Sequence, residues 1–322
     1  MKPRIVITRE VFDEVIDYLN PHCEVDANQA DTPYTPEALA LKLTNAQGLM
    51  CALTDRVDAA LIAQASQLKA VANIAVGYNN IDVPACTARA IQVTNTPGVL
   101  DDSTADLAFA LILATARRIT EVESYIRNGK WTGWTLKQWM GVDVHHATLG
   151  IIGMGRIGQT IARRASGFDM TVRYHNRTRL EAAVESRLNA MYAGKEEILR
   201  ESDFVVVMVP YSPATHHLIK AAEIALMKPT AILINTARGG VVDDVALIDA
   251  LGEKRIAGAG IDVFEGEPAF NPGFLKLDNV VLTPHIGSAT RATRMRMALM
   301  AAENMLAALS GKTPANLVNA KA

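Results

Sequence analysis

Thr148-Leu149-Gly150-Ile151-Ile152-Gly153-Met154-Gly155-Arg156-Ile157-Gly158, running on into residues 159–165, is the stretch that decides the fold. A short apolar run meets glycines spaced Gly-x-Gly-x-x-Gly, and residues of helical composition follow. That succession implies a buried strand, a tight turn and a helix. Gly153 suits the turn, Gly155 lets the backbone approach a pyrophosphate, and Gly158 lets the helix pack on the strand. The helix N-terminus adds amide donors and a favourable dipole for phosphates. Gly153, Met154, Gly155, Arg156, Ile157 and Gly158 are therefore read as the phosphate-binding loop of a dinucleotide site. The bland alternative is a glycine-rich packing turn.

Outward from this loop, short apolar runs alternate with amphipathic stretches almost from end to end. Strand candidates before it are 4–8, 24–26, 48–53, 70–75 and 91–94, with helical patterns at 10–19, 35–44, 58–65 and 82–88. A long helix is expected over 102–128, with acidic residues in its first turn where the dipole favours them. Strands after 148 are expected at 149–152, 171–174, 204–210, 231–235, 258–264 and 280–283, and a last helix at 291–309. Such alternation predicts α/β structure with parallel sheets. A chain of 322 residues exceeds what one core comfortably serves, so two domains are expected. The mid-chain position of the glycine loop implies an insertion: residues 100–290 form the nucleotide domain, and 1–99 with 291–322 form the other.

The strand after the loop ends Tyr174-His175-Asn176-Arg177-Thr178-Arg179. A site for NAD(H) usually carries a carboxylate there for the ribose hydroxyls. None is present, while Asn176, Arg177, Thr178 and Arg179 offer donors for a 2′-phosphate. NADP(H) is therefore the expected cofactor, with NAD(H) as a second possibility. Three later strands run into Arg238, Glu267 and His285, and loops at the carboxyl ends of parallel strands converge on one edge. An arginine grips a carboxylate and polarises the neighbouring carbonyl. A histidine gives a proton to the developing alkoxide, and a carboxylate beside it favours its protonated form and fixes its orientation. The trio suits reduction of a 2-keto acid. Singly, each has a structural explanation: a cap, a turn residue, a satisfied loop histidine.

These residues resemble the D-2-hydroxyacid dehydrogenase family, in its glyoxylate/hydroxypyruvate reductase branch. The carriers are Ala75-Val76-Gly77-Tyr78-Asn79-Asn80-Ile81-Asp82, Thr104-Ala105-Asp106-Leu107-Ala108, the glycine loop, Asn235-Thr236-Ala237-Arg238-Gly239, residues 260–268 and Pro284-His285-Ile286-Gly287-Ser288. Residues 141–146 and 174–177 look closest to bacterial reductases of glyoxylate, hydroxypyruvate and 2-ketogluconate. The resemblance implies a Rossmann cofactor domain inserted in a flavodoxin-like substrate domain. It implies that Arg238 binds the keto acid, that His285 donates the proton and that Glu267 pairs with it. The amides of Val76 and Gly77 would hold the substrate carboxylate across an interdomain cleft. Thr104, Pro210, Thr215, Thr236, Ala237, Asp262 and Gly287 match cofactor-lining positions. Leu53, Trp139 and Ser288 would shape the pocket, with Trp139 reaching a partner subunit's site in a homodimer built partly on 131–141. Asn79 and Asp101 depart from the family pattern, at positions where Asp and Thr are common, and neither removes a catalytic group.

The remaining features exclude more than they add. A net charge of −2 suggests neither a nucleic-acid nor a membrane partner. The basic N-terminus has too short an apolar run for a signal peptide, and no run reaches membrane-spanning length. Cys23, Cys51 and Cys86 are scattered and read as small buried residues of a cytoplasmic protein. His145-His146 and His216-His217 invite a metal reading, but no clustered carboxylate or cysteine completes a site, so no metal is expected. A formate- or phosphite-type dehydrogenase is a rival, though formate-type relatives usually carry Gln where Glu267 stands. A nucleotide-sensing corepressor with a vestigial site is the rival outside enzymes, and the intact Arg, Glu and His count against it.

Overall fold

A computed structural model describes residues 2–319, and they form two compact units. The first takes the chain up to Leu100 and again from Ala289; the second is Asp101–Ser288.

The first unit carries β1 (Arg4–Ile7), β2 (Glu24–Ala27), β3 (Gly48–Cys51), β4 (Ala70–Asn73) and β5 (Gln92–Thr94). All pair in parallel, in the order β2-β1-β3-β4-β5. That is the flavodoxin-like order. Helices cover both faces of such a sheet, so β3 and β4 are buried at every residue and read as continuous apolar runs rather than alternating ones. The connecting helices begin where the sequence supplies caps. Thr35, Asp58 and Asp82 accept from the amides of Ala38, Leu61 and Ala85 at 3.2, 3.0 and 2.9 Å. The last helix, Arg291–Leu309, buries Met297, Ala298, Ala301, Ala302 and Met305 on this sheet. It comes so close that a Cβ on Gly48 would stand 2.5 Å from the Met305 sulfur.

The second unit carries β6 (Thr148–Ile152), β7 (Thr171–His175), β8 (Ala190–Tyr192), β9 (Phe204–Val207), β10 (Ile232–Asn235), β11 (Gly258–Ile261) and β12 (Val280–Leu282). They form one parallel sheet in the order β8-β7-β6-β9-β10-β11-β12. Strand order reverses at β6, whose neighbours are β7 and β9. A ligand crevice belongs outside the carboxyl ends of the strands at this switch point, and the glycine loop leaves β6 there. Helix Asp101–Ala116 packs on β10 to β12, with Leu111 and Ile112 buried. Full burial of each such side chain contributes about 1.5–3 kcal/mol.

The expected helix over 102–128 is two helices, Asp101–Ala116 and Ile119–Arg127. Arg118 between them has φ +55°. The carbonyl of Ala116 is taken by the amide of Val142 at 3.0 Å instead of a following helical turn. Arg118 then folds onto Glu121, donating from Nε and Nη2 at 2.8 Å each. Several strands are also shorter than their apolar runs: β9 stops at Val207 and β11 at Ile261. No helix among the described residues is long and apolar enough to cross a membrane.

Candidate active site

The three glycines of the loop have different neighbours. Gly153 has φ +108°, and a Cβ there would strike the Met208 carbonyl at 2.5 Å. A Cβ on Gly158 would strike the Gly153 carbonyl at 2.4 Å. Both glycines are demanded by packing inside the protein. Gly155 is not: its φ is −76°, and a Cβ would meet nothing within 4 Å. What explains Gly155 is close approach by a ligand in front of the helix Arg156–Ala165, whose first-turn amides lack helical partners. A second observation agrees. The hydroxyl of Thr236, at the end of β10, is buried with no hydrogen-bond partner, the state of a group left for a ligand. The residues present therefore fit a dinucleotide.

The end of β7 is tied to this loop. Asn176 Oδ1 accepts from the Met154 amide at 2.7 Å, and the Gly153 amide donates to the His175 carbonyl at 2.9 Å. Arg177 and Thr178 are exposed, and neither side chain has a hydrogen-bond or ion-pair partner among the described residues. Arg179 differs. Its Nε and Nη2 donate to the two oxygens of Glu185 at 2.8 Å each. Of the two arginines expected to face a 2′-phosphate, Arg179 is thus already spent on a carboxylate, and Arg177 is free to act.

The chemical groups stand on the adjacent ends of β10, β11 and β12. Buried Asn235 shapes the first loop: its Oδ1 accepts from the Ala237 amide at 3.1 Å. Arg238 follows, half-buried, with Nη1 donating to the Ala237 carbonyl at 2.8 Å. Burial pulls the Arg238 pKa down and nearby Glu267 opposes it; the net shift is downward. At the start of the second loop, directly after β11, Asp262 is 1% exposed. Its oxygens accept from the Thr283 hydroxyl and the amides of Ile286 and Gly287 at 2.7, 2.8 and 3.0 Å. Burial still holds its pKa above the ordinary value. These bonds fix the turn that places His285 at φ +55°, a conformation that non-glycine residues rarely adopt.

His285 Nδ1 lies 2.8 Å from Glu267 Oε2, and Glu267 Oε1 accepts from the Phe264 amide at 2.7 Å. Burial raises the Glu267 pKa, but those two hydrogen bonds and the charges of His285 and Arg238 outweigh it, leaving the carboxyl below its usual range. With Nδ1 committed to Glu267, Nε2 is the ring nitrogen left for a substrate. On the loop after β9, Thr215 Oγ1 donates to the Pro210 carbonyl at 2.8 Å; near His285 in sequence, the Gly287 carbonyl accepts from Thr104 Oγ1 at 3.3 Å. Ser288 follows this turn at the end of the second unit.

In the first unit, the loop after β4 has a geometry that sequence patterns do not reveal. The carbonyls of Ala75, Val76 and Gly77 accept from the Thr96 amide, Asn95 Nδ2 and Asn73 Nδ2 at 3.0, 2.8 and 2.8 Å. In a trans peptide the N–H points opposite to the carbonyl of the preceding residue. Locking three successive carbonyls therefore fixes the three peptide planes, so the amides of Val76, Gly77 and Tyr78 each point away from the carbonyl of their own peptide. Leu53 belongs to the neighbouring loop, after β3.

The described setting of Trp139 is local, and one premise about the paired histidines, that no carboxylates cluster there, changes. Trp139 has φ +59° and packs on Tyr125 of its own chain, with the Arg118 guanidinium 5.1 Å from its ring centre. Carboxylates do gather about one of the paired histidines. His217 Nε2 lies 2.7 Å from Glu265 and Nδ1 3.7 Å from Asp243, and the three ligating atoms lie within 4.8 Å of one another. Adjacent Asp244 accepts from the Glu265 amide at 3.0 Å. Burial pushes its pKa up to about 6, the charges of Glu265 and Asp243 adding to the effect.

Residues 109–287 match the family model described as D-isomer specific 2-hydroxyacid dehydrogenase, NAD binding domain. The chain is 50% identical over 323 residues to the glyoxylate reductase of Pyrococcus horikoshii, covering 99% of this chain and 96% of that one. Among solved structures it is similar to a protein of Thermus thermophilus, with TM-score 0.91, 41% identity, and 98% and 100% of the two chains covered. It is also similar to an NADPH-dependent glyoxylate/hydroxypyruvate reductase of Sinorhizobium meliloti in complex with NADP and malonate. There the TM-score is 0.89, the identity 32%, and coverage 99% and 97%.

Proposed function

The chain belongs to the D-isomer specific 2-hydroxyacid dehydrogenase family and is an NAD(P)-dependent oxidoreductase, and we propose that it reduces small 2-keto acids with NADPH. Glyoxylate and hydroxypyruvate are the foremost substrates, with 2-ketogluconate as a larger candidate, and the products are D-2-hydroxy acids. The observation that carries this reading is the His285–Glu267 pair at 2.8 Å on loops beside Arg238.

Bound dihydronicotinamide supplies the hydride that adds to the keto carbon. Arg238 grips the substrate carboxylate and draws electron density from the carbonyl. His285 delivers the Nε2 proton to the alkoxide oxygen as the C–H bond forms. Glu267 holds Nδ1–H, which orients the ring and stabilises the imidazolium. The amides of Val76 and Gly77, on the loop after β4, are further candidates for holding a substrate carboxylate. Gly155 and the amides of 156–157 receive the pyrophosphate, with Thr104, Pro210, Thr215, Thr236, Ala237, Asp262 and Gly287 lining the cofactor. Arg177 and Thr178, exposed and without side-chain partners among the described residues, support NADPH over NADH. Trp131, Trp134, Leu136 and Met140 are exposed large apolar residues on one short segment, which supports a homodimer built on 131–141. The free, buried cysteines suit a reducing compartment, and the cytoplasm is the proposed location.

The test is an oxidation panel with NADPH and NADH against glyoxylate, hydroxypyruvate, pyruvate and 2-ketogluconate. The expected result is highest kcat/KM with NADPH and a two- or three-carbon keto acid. Tight NADPH binding without turnover of any of them would revive the corepressor reading; a clear NADH preference would overturn the cofactor assignment.

A further inference from the structure

The turn that follows β7 treats its two arginines in opposite ways. Tyr174, buried on β7, donates its hydroxyl proton to Glu185 Oε1 at 2.7 Å and accepts from the Leu180 amide at 2.9 Å. Arg179 closes on both oxygens of Glu185, and its guanidinium lies 5.8 Å from the Tyr192 ring centre. Tyr192 in turn donates its hydroxyl proton to the Asn176 carbonyl at 3.2 Å, while the Asn176 side chain holds the glycine loop. The segment is thus pinned at Asn176, Arg179 and Leu180. Only Arg177 and Thr178 project from it without partners among the described residues.

We propose that Tyr174, Arg179 and Glu185 form a brace that sets selectivity for the 2′-phosphate, presenting Arg177 and Thr178 to it and keeping Glu185 from accepting ribose hydroxyls. The inference rests on the NADPH reading of the same site. Arg179 is then a positioning residue and not a phosphate ligand. The brace acts twice. It orders a short exposed turn before the cofactor arrives, so less conformational entropy is lost on binding. It also consumes a carboxylate close to the place where NAD(H)-selective sites keep a free one. Glu185 stays anionic throughout the neutral range, because Arg179 and Tyr174 hold its pKa down to about 2, so the brace does not open there with pH.

Glu185→Gln separates the two roles open to Arg179, because they predict opposite signs. Were Arg179 a phosphate ligand restrained by Glu185, releasing it would lower KM for NADPH. As a brace member, its release raises that KM about three- to tenfold, the scale of one or two hydrogen bonds. KM and kcat with NADH should move less than twofold, which also reports an intact fold. Tyr174→Phe removes the anchor of Leu180 by a different route and should raise KM for NADPH in the same selective way. An unchanged or lowered KM for NADPH in both variants overturns the brace. A wild-type enzyme indifferent to the 2′-phosphate overturns both brace and NADPH reading. Wild-type preference that disappears in Arg177→Ala but survives in Glu185→Gln and Tyr174→Phe overturns the brace alone.

Discussion

Replacing Glu267 by Gln changes little in shape and much in proton chemistry. Both carboxylate oxygens accept: one from the Phe264 amide at 2.7 Å, the other facing His285 Nδ1 at 2.8 Å. A carboxamide has one acceptor and one donor end. If its oxygen stays on the Phe264 amide, its NH2 faces Nδ1, which must then be an acceptor. That fixes the neutral tautomer with the proton on Nε2 and opposes the imidazolium that delivers it. The loss is one charge-assisted hydrogen bond plus the opposition of two donors, about 1.5–3 kcal/mol. Both side chains are less than a third exposed, 22% and 27%, so solvent screening trims this little. At about 1.4 kcal/mol per decade, kcat/KM for keto-acid reduction should fall roughly ten- to a hundredfold at neutral pH. The assay is NADPH oxidation with glyoxylate from roughly pH 5 to 9, with cofactor Kd measured in parallel by fluorescence. Wild-type and Glu267→Gln profiles that superimpose would refute the reasoning, since geometry alone would then suffice.

Other outcomes follow from the same geometry. Arg177→Ala should lower kcat/KM with NADPH about ten- to a hundredfold, as loss of a charge-assisted contact does, while NADH kinetics hold within about twofold. Gly155→Ala should leave Tm unchanged, since its Cβ meets nothing within 4 Å, yet weaken cofactor binding in titration calorimetry. Gly158→Ala should lower Tm, because its Cβ would sit 2.4 Å from the Gly153 carbonyl. Asp244, with its pKa raised to about 6 from 3.8, is least favourable to the fold when ionised. A raised carboxyl destabilises increasingly as pH climbs from the unfolded to the folded value and fully above it. Asp244→Asn should therefore gain about 3 kcal/mol in urea unfolding near pH 8, a gain that vanishes near pH 4.

How much of this was legible in the sequence varied with the range of the interaction. The glycine loop and the polar ends of β10, β11 and β12 were readable because strand, turn and helix signals are local. The apolar runs 204–210 and 258–264 overstated their strands for different reasons: burial continues through Phe264 beyond β11, whereas after Val207 the apolar residues Met208 and Val209 are only half-buried and Pro210 is exposed. The three-residue β8 has no pattern of its own and exists by pairing with β7. The break at Arg118 was hidden because arginine, alanine and isoleucine all tolerate helix, and a residue far ahead in sequence, Val142, takes the decisive carbonyl. Arg179 looked equivalent to Arg177 until Glu185 was seen to reach back to it. The held carbonyls of Val76 and Gly77 depend on Asn95 and Asn73 from two different strand ends, a relation no local window contains.

Thr104 near the start of the second unit donates to the Gly287 carbonyl near its end, 3.3 Å away. The segment therefore leaves and rejoins the rest of the chain at neighbouring points, like a cassette held by two adjacent leads. Insertions of that kind disturb their host least. A gene encoding residues 101–288 alone is then a natural unit of exchange: spliced between the same two leads, a sister cassette replaces the whole glycine-loop segment while leaving the other unit's sheet untouched.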